Sequence, residues 1–353
     1  MDNSYKSFIR TVKFNCDVSD AKYWGFYSIC GLLMNLRTLY ISNKGLKPWE
    51  HINRADILKW ISQKENHWNK MEDASFRELK IGGKRYEPFD VDSINGILNS
   101  EGLVYGAGYG LFKKPSFFLA DLKSRSEMYG HTVYLAKREY ARDLFISPGL
   151  LQGKQIFLRL EPLRALLWDK FLESKAKNNP LLEYAFSQYG FNGEQTVDQE
   201  FERKFEELTD RYSHVVLYHE IGEIMEEFPG WSEMIYEANS KDTEFFLRAL
   251  KDMLADTSGH GPLKRSIDNK DQANLGLSIA LLDRYKAKMH LPIRSAFEEF
   301  IQDGDLSLVN EARKKVYARL ALLRDELVEA YMDRKEKDDL LNKILELKSR
   351  FNY

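Results

Sequence analysis

Along most of this chain apolar residues recur at steps of three and four, the spacing that gathers side chains on one face of a helix; only a few short stretches alternate as strands do. The first helix is predicted over residues 20–40, capped by Ser19 or Asp20 and left at Gly45. Its segment 23–36 is uncharged and apolar nearly all round, so it reads as a covered core helix. A second helix is predicted over 53–68 with Asn53 as cap and Ile57, Trp60, Ile61 and Trp68 on one side. Residues 76–89 read as a hairpin turning at Gly82-Gly83, which can adopt the positive φ such a turn requires. A short helix at 92–98 stops near Gly102. A second hairpin spans 115–136, with arms 117–122 and 132–135 joined near Tyr129-Gly130-His131. Residues 138–145 read as helical, and Ser147-Pro148 as a cap and first-turn pair. A strand at 155–160 then passes into a helix opened by Glu161-Pro162 and ending near Lys177.

Beyond a turn-rich boundary at 178–194, every segment reads as helix. Thr196 and Gln199 form a capping box for a helix ended by Pro229-Gly230. Further helices are predicted at 231–239, 243–256, 271–288 and 293–302. The last begins at 307, with Val309, Ala312, Val316, Leu320, Leu323 and Leu327 in one stripe that loosens after Tyr331. That stripe predicts an amphipathic helix packed on the body, with a homodimer through the helix as the alternative. The fold class is therefore α+β and mostly helical. A mixed region with small antiparallel hairpins covers 1–190 and a helical region covers 191–353. No long flexible linker separates them, so they could pack as one unit.

Composition sharpens this picture at three points. The 353 residues allow two domains or one large one, and 43% apolar content with 21 Phe, 19 Tyr and 6 Trp supplies a core. A net charge of −2 does not imply a generally basic surface for nucleic acid. Cys16 and Cys30 both lie among apolar residues and read as buried reduced thiols, which fits a cytoplasmic protein. There is no signal-like N-terminus, and the longest uncharged apolar run is too short to span a bilayer, so no membrane partner is expected.

The segment most suited to chemistry is in the 196–228 helix. Phe201, Phe205, Leu208, Tyr212, Val215, Val216, His219, Gly222 and Glu223 share a face, while Leu217, Ile221, Ile224 and Phe228 make the other side apolar too. His219 and Glu223 are therefore expected to point inward, where a charge must be compensated. The 243–256 helix offers Asp252 and Asp256 one turn apart, and His260 follows Gly259. His219, Glu223, Asp256 and His260 form a ligand set suited to a divalent Zn, Mn or Fe ion, with Glu220 as general base. The competing reading is a structural ion-pair cluster.

Other segments carry weaker signals. Tyr105-Gly106-Ala107-Gly108-Tyr109-Gly110 lacks the spacing of a dinucleotide loop and reads as a strand or ordering loop. Lys113, Lys114, Phe117, Phe118, Lys123, Arg125, Lys137 and Arg138 interleave basic and aromatic residues, a surface that could meet nucleic acid or an acidic partner. Arg159 and Arg164 flank Glu161 as an ion-pair cluster or an anion site. His131 reads as an idle turn residue, and Glu226 and Glu227 as an exposed helix end.

Two resemblances add to this. His219-Glu220-Ile221-Gly222 is similar to the His-Asp-Ile-Gly segment of HD-type phosphohydrolases, with Glu220 in place of the aspartate. That likeness implies Asp256 as the distant aspartate and His131 as the first histidine, although His131 falls in a hairpin and the family's histidines lie on helices. More broadly, three stretches resemble an uncharacterised bacterial family, the Sfum-type hypothetical proteins: Asn15-Cys16-Asp17-Val18-Ser19-Asp20-Ala21, Lys114-Pro115-Ser116-Phe117-Phe118-Leu119-Ala120 and Tyr134-Leu135-Ala136-Lys137-Arg138-Glu139-Tyr140-Ala141-Arg142-Asp143-Leu144. This resemblance implies a bacterial cytoplasmic protein and carries over no catalytic residue. The sequence reading is thus a metal-dependent, hydrolase-like enzyme acting on a small molecule, with a binding protein using residues 113–138 as the alternative.

Overall fold

The computed structural model describes residues 3–110, 113–176, 179–193, 195–282 and 284–351. The chain divides into two compact units, Met1–Trp168 and Asp169–Tyr353, and the division falls inside a helix. The fold is α+β and mostly helical, with small sheets in the first unit and a helical second unit.

The first unit opens with α1 (Asn3–Tyr23), whose Phe8, Val12 and Cys16 step by four and are buried. Ser19 and Asp20 do not cap a helix, as the sequence reading had it, but sit buried within α1. The Ser19 hydroxyl donates to the Pro115 carbonyl, and Asp20 accepts the Leu144 N–H at 2.9 Å. Side chains that can cap also serve when a strand brings its own unsatisfied groups close. A 3₁₀ turn at Trp24–Phe26 divides the predicted 20–40 helix, and Ser28 starts α2 (Ile29–Lys44) by accepting from Gly31 N–H. The expectation of a covered helix is also corrected. Ile29, Leu33 and Met34 are exposed, as is Cys30, whereas Cys16 is buried; both thiols are free. An apolar surface is buried only if another element reaches it, and composition does not say which one does.

The remaining elements are α3 (Arg54–Asn69, capped by Asn53), the hairpin β1 (Leu79–Ile81) and β2 (Lys84–Tyr86), α4 (Val91–Leu98), β3 (Leu103–Tyr109), β4 (Pro115–Met128), β5 (His131–Arg142), β6 (Gly149–Gln152) and β7 (Gln155–Arg159). Among the described residues β3 to β7 form one five-stranded sheet in the order β3-β4-β5-β7-β6, antiparallel except for the parallel β5–β7 pair. The glycine-rich segment is strand β3, and a Cβ on Gly106 would lie 2.1 Å from the Phe118 ring, so glycine is what admits that ring.

The predicted helix at 138–145 is instead strand as far as Arg142, followed by irregular chain. Register shifts between β4 and β5 leave Glu139, Ala141 and Arg142 all buried, and that broken alternation imitates a helical spacing. Ser147-Pro148 accordingly leads into β6 rather than into a helix. After β7 the chain enters α5 (Leu160–Ala176).

The second unit continues with α6 (Pro180–Ser187), α7 (Gln199–Met225), α8 (Trp231–Glu237), α9 (Lys241–Thr257), α10 (Pro262–Asp268), α11 (Gln272–Ala280), α12 (Arg284–Asp303), α13 (Leu306–Asp333) and α14 (Lys337–Ser349). Asp198, not Thr196, caps α7, accepting from Phe201 N–H at 2.8 Å. The predicted 271–288 helix ends at Ala280, and Pro292 lies inside α12 rather than near a start. Val309, Val316, Leu320, Leu323 and Leu327 of α13 are buried in the core of their own unit, together with Leu340, Ile344 and Leu347 of α14. No helix among the described residues is long and apolar enough to cross a membrane.

Candidate metal centre

Helices α7 and α9 touch at backbone level. A Cβ on Gly222 would lie 2.6 Å from the Ala255 carbonyl oxygen, so only glycine allows this approach. Either side of the crossing, His219 and Glu223 on α7 come to face Asp252 and Asp256 on α9. Each pair is spaced by four residues, so each lines one helix face.

His219, Glu223 and Asp252 each offer a ligand atom, and the three atoms lie within 4.8 Å of one another. His219 Nε2 is 3.5 Å from Glu223 Oε1. His219 Nδ1 is 2.8 Å from Asp256 Oδ1, a contact that fixes the ring and turns Nε2 toward the other two groups. Two ammonium groups also reach the cluster: Lys251 Nζ is 3.2 Å from Glu223 Oε2, and Lys286 pairs with Asp252. The side chains of His219, Glu223 and Asp252 remain about one-fifth exposed, so they stand at the rim of the unit rather than in its interior. Glu220 is buried beside them.

The electrostatics follow from this crowding. Burial works against the His219 charge, but Asp256, Glu223 and Asp252 outweigh it and push the imidazole up to about 10. Burial, reinforced by the charge of Glu223, pushes Glu220 up to about 8. Burial also raises Glu223, although His219 and Lys251 pull the other way. Asp252 is pressed upward by burial, yet Lys286 and His219 hold it below the usual carboxylate range. An acid that changes charge near neutral pH therefore stands beside a group of nitrogen and oxygen donors.

Asp256 lies behind His219 rather than in the three-donor group. His260 is exposed past the end of α9, with its backbone N–H on Ser258 Oγ at 3.2 Å, and stands outside the group. Asp252 takes a place in the group instead; its spacing of four from Asp256 was the available signal. Sequence reasoning missed Lys251, Lys286 and His290. His290 is buried to 1% exposure, and burial lowers it to about 4 although Asp256 pulls the other way. Lys286 and His290 come from α12, which no local pattern ties to α7.

Elsewhere, His131 begins β5 in the first unit, with Nδ1 3.0 Å from the Tyr129 carbonyl oxygen. Phe117 and Phe118 are core residues, and Lys114 is buried between Asp20 at 3.0 Å and Asp143 at 3.2 Å. Lys113, Lys123, Arg125, Lys137 and Arg138 are the members of that basic–aromatic run left at the surface. Glu226 is not an idle helix end, since it accepts from Tyr317 and Arg324 of α13.

The N-terminal domain model of the family of unknown function DUF6866 matches residues 7–159, and its C-terminal domain model matches 164–347. Neither a curated protein nor a solved structure matches the chain. The two matches, in order and covering most of the sequence, place the chain in the DUF6866 family.

Proposed function

We propose that the α7–α9 cluster binds a divalent first-row metal ion and supports a hydrolytic reaction on a small molecule. The observation carrying this reading is the convergence of one imidazole and two carboxylates from two helices within 4.8 Å. Mixed nitrogen and oxygen donors of this kind suit Zn, Mn or Fe, and three protein ligands leave room for water. When bound, such an ion supplies Lewis acidity and a water of lowered pKa. The chain supplies the rest. Asp256 orients His219, and Glu220 holds a proton that it can release and recover near neutral pH. Lys251 and Lys286 now neutralise the two carboxylates. Metal binding has to displace both ammonium groups and the Nε2 proton of His219, so affinity rises with pH.

Calorimetric titration of purified protein with Zn²⁺ and with Mn²⁺ is the test. Binding should release protons, tighten between pH 6.5 and 8.5, and weaken at least about tenfold in Asp252→Asn. Glu220→Gln should keep the ion and lose hydrolysis of an activated ester. Absence of binding heat, or equal binding by Asp252→Asn, removes the metal reading. Equal hydrolysis by Glu220→Gln removes the role given to Glu220.

A further inference from the structure

The junction between β7 and α5 holds an arginine whose hydrogen-bond donors the fold leaves without acceptors. Arg142, at the end of β5, is 6% exposed, and its Nε and both terminal nitrogens have no hydrogen-bond partner among the described residues. Its ion-pair contact is Glu139 Oε2 at 3.7 Å, beyond hydrogen-bond reach. Glu139 Oε1 accepts Arg159 Nε at 2.6 Å and the Glu139 backbone N–H donates to Glu161 Oε2 at 2.8 Å, while Oε2, the oxygen facing Arg142, also has no hydrogen-bond partner among the described residues. Arg159 also donates to the Ser147 carbonyl at 3.3 Å and lies over the Phe118 ring. At this junction Glu139 and Glu161 meet the charges of Arg142 and Arg159, so what the Arg142 fork lacks is a hydrogen-bond acceptor rather than a counter-charge. Arg142, Arg159 and Arg164 are each less than one-tenth exposed.

A buried guanidinium with no hydrogen bond is among the costliest groups a protein can hold, and a two-oxygen anion is the partner its fork fits. Two further features favour such an anion at this place. Strand β5 runs past the end of β7, whose last residue Arg159 pairs with Ala136, so Glu139 and Arg142 stand beyond the carboxyl end of the parallel pair. That is the position where open α/β sheets bind ligands. The 17-residue helix α5 also begins there, and its first-turn residue Glu161 touches the cluster, so the unsatisfied N–H groups of the helix start lie beside it.

We propose that Arg142 is the anchor of a buried oxyanion site at the β5–β7–α5 junction, which takes the phosphate or carboxylate group of a small molecule. The guanidinium gives the bidentate contact, Arg159 and the start of α5 add positive potential, and Glu139 sets the guanidinium's angle. The site lies in the first unit and does not depend on the metal cluster of the second.

Thermal unfolding of the full chain tests this, with inorganic phosphate, sulfate or oxalate added against sodium chloride at equal ionic strength. The melting temperature should climb with oxyanion concentration beyond the chloride control, and phosphate against oxalate tells which group is preferred. Arg142→Met, which leaves Glu139 its bond to Arg159, should remove the oxyanion-specific rise. Arg142→Lys, which keeps the charge but loses the fork, should raise the half-maximal concentration about tenfold. If Arg142→Met does not fold, Arg142→Lys decides. No rise above chloride in the unaltered protein, or an unchanged rise in either variant, overturns the proposal.

Discussion

Two clusters of paired charge, one in each unit, use nearly the same residue types to opposite ends. In the first, Lys114 lies between Asp20 and Asp143, all three side chains are at most 4% exposed, and the acids accept backbone N–H groups from Phe117, Leu144 and Phe145. Each charge is consumed in tying α1 to β4 and to the chain just after β5. In the second, His219, Glu223, Asp252 and Asp256 meet Lys251 and Lys286 while keeping about one-fifth of their side-chain surface in contact with solvent. There the acids bond to side chains rather than to the backbone, so their partners can be exchanged without unfolding the chain. Access and exchangeable partners, more than residue identity, separate a fastening from a candidate site.

The largest effect should come from breaking the closed cluster. Lys114→Met leaves Asp20 and Asp143 buried without their cation, and a loss of about 3–5 kcal/mol in denaturant unfolding is expected. An unchanged midpoint would show that the acids take up protons at little cost, and the contrast between the clusters would weaken.

A smaller loss, about 1–3 kcal/mol, is expected for Gly222→Ala, because the new methyl meets the Ala255 carbonyl and pushes α7 off α9. The same variant should weaken metal binding, since His219 and Glu223 move with α7. Full metal affinity with reduced stability would separate the crossing from the site.

The smallest effect is one of pH. His219 is raised from its ordinary 6.5 to about 10, so its contribution to stability is complete below about pH 6.5 and is lost as pH rises toward 10. Glu220, raised to about 8, acts in the same direction between about pH 4.5 and 8, so between 8 and 10 the histidine acts without Glu220, and comparison with His219→Asn separates it from other groups. Melting temperature should fall across that interval in the metal-free protein and stay flatter in His219→Asn. Parallel curves would mean that the imidazole holds no proton there.

What the sequence determined by itself is what local chemistry determines. Asn53 capping α3, the Gly82-Gly83 and Tyr129-Gly130 turns, the helical character of the second unit and the buried stripe of α13 each rest on a few neighbouring residues. The pairing of His219 with Asp256 was legible too, because periodicity put both on facing helix surfaces. Only the tertiary structure decided the rest. The bulges that make 138–142 a strand, the exposure of the first turns of α2, the outward position of His260, the arrival of Lys286 from α12 and the Arg142 fork without acceptors all depend on groups distant in sequence. Periodicity reports which side of an element is apolar. What covers that side, and which charge meets which, is settled when the elements pack, because burial and Coulomb energy depend on distance in space and not on order along the chain.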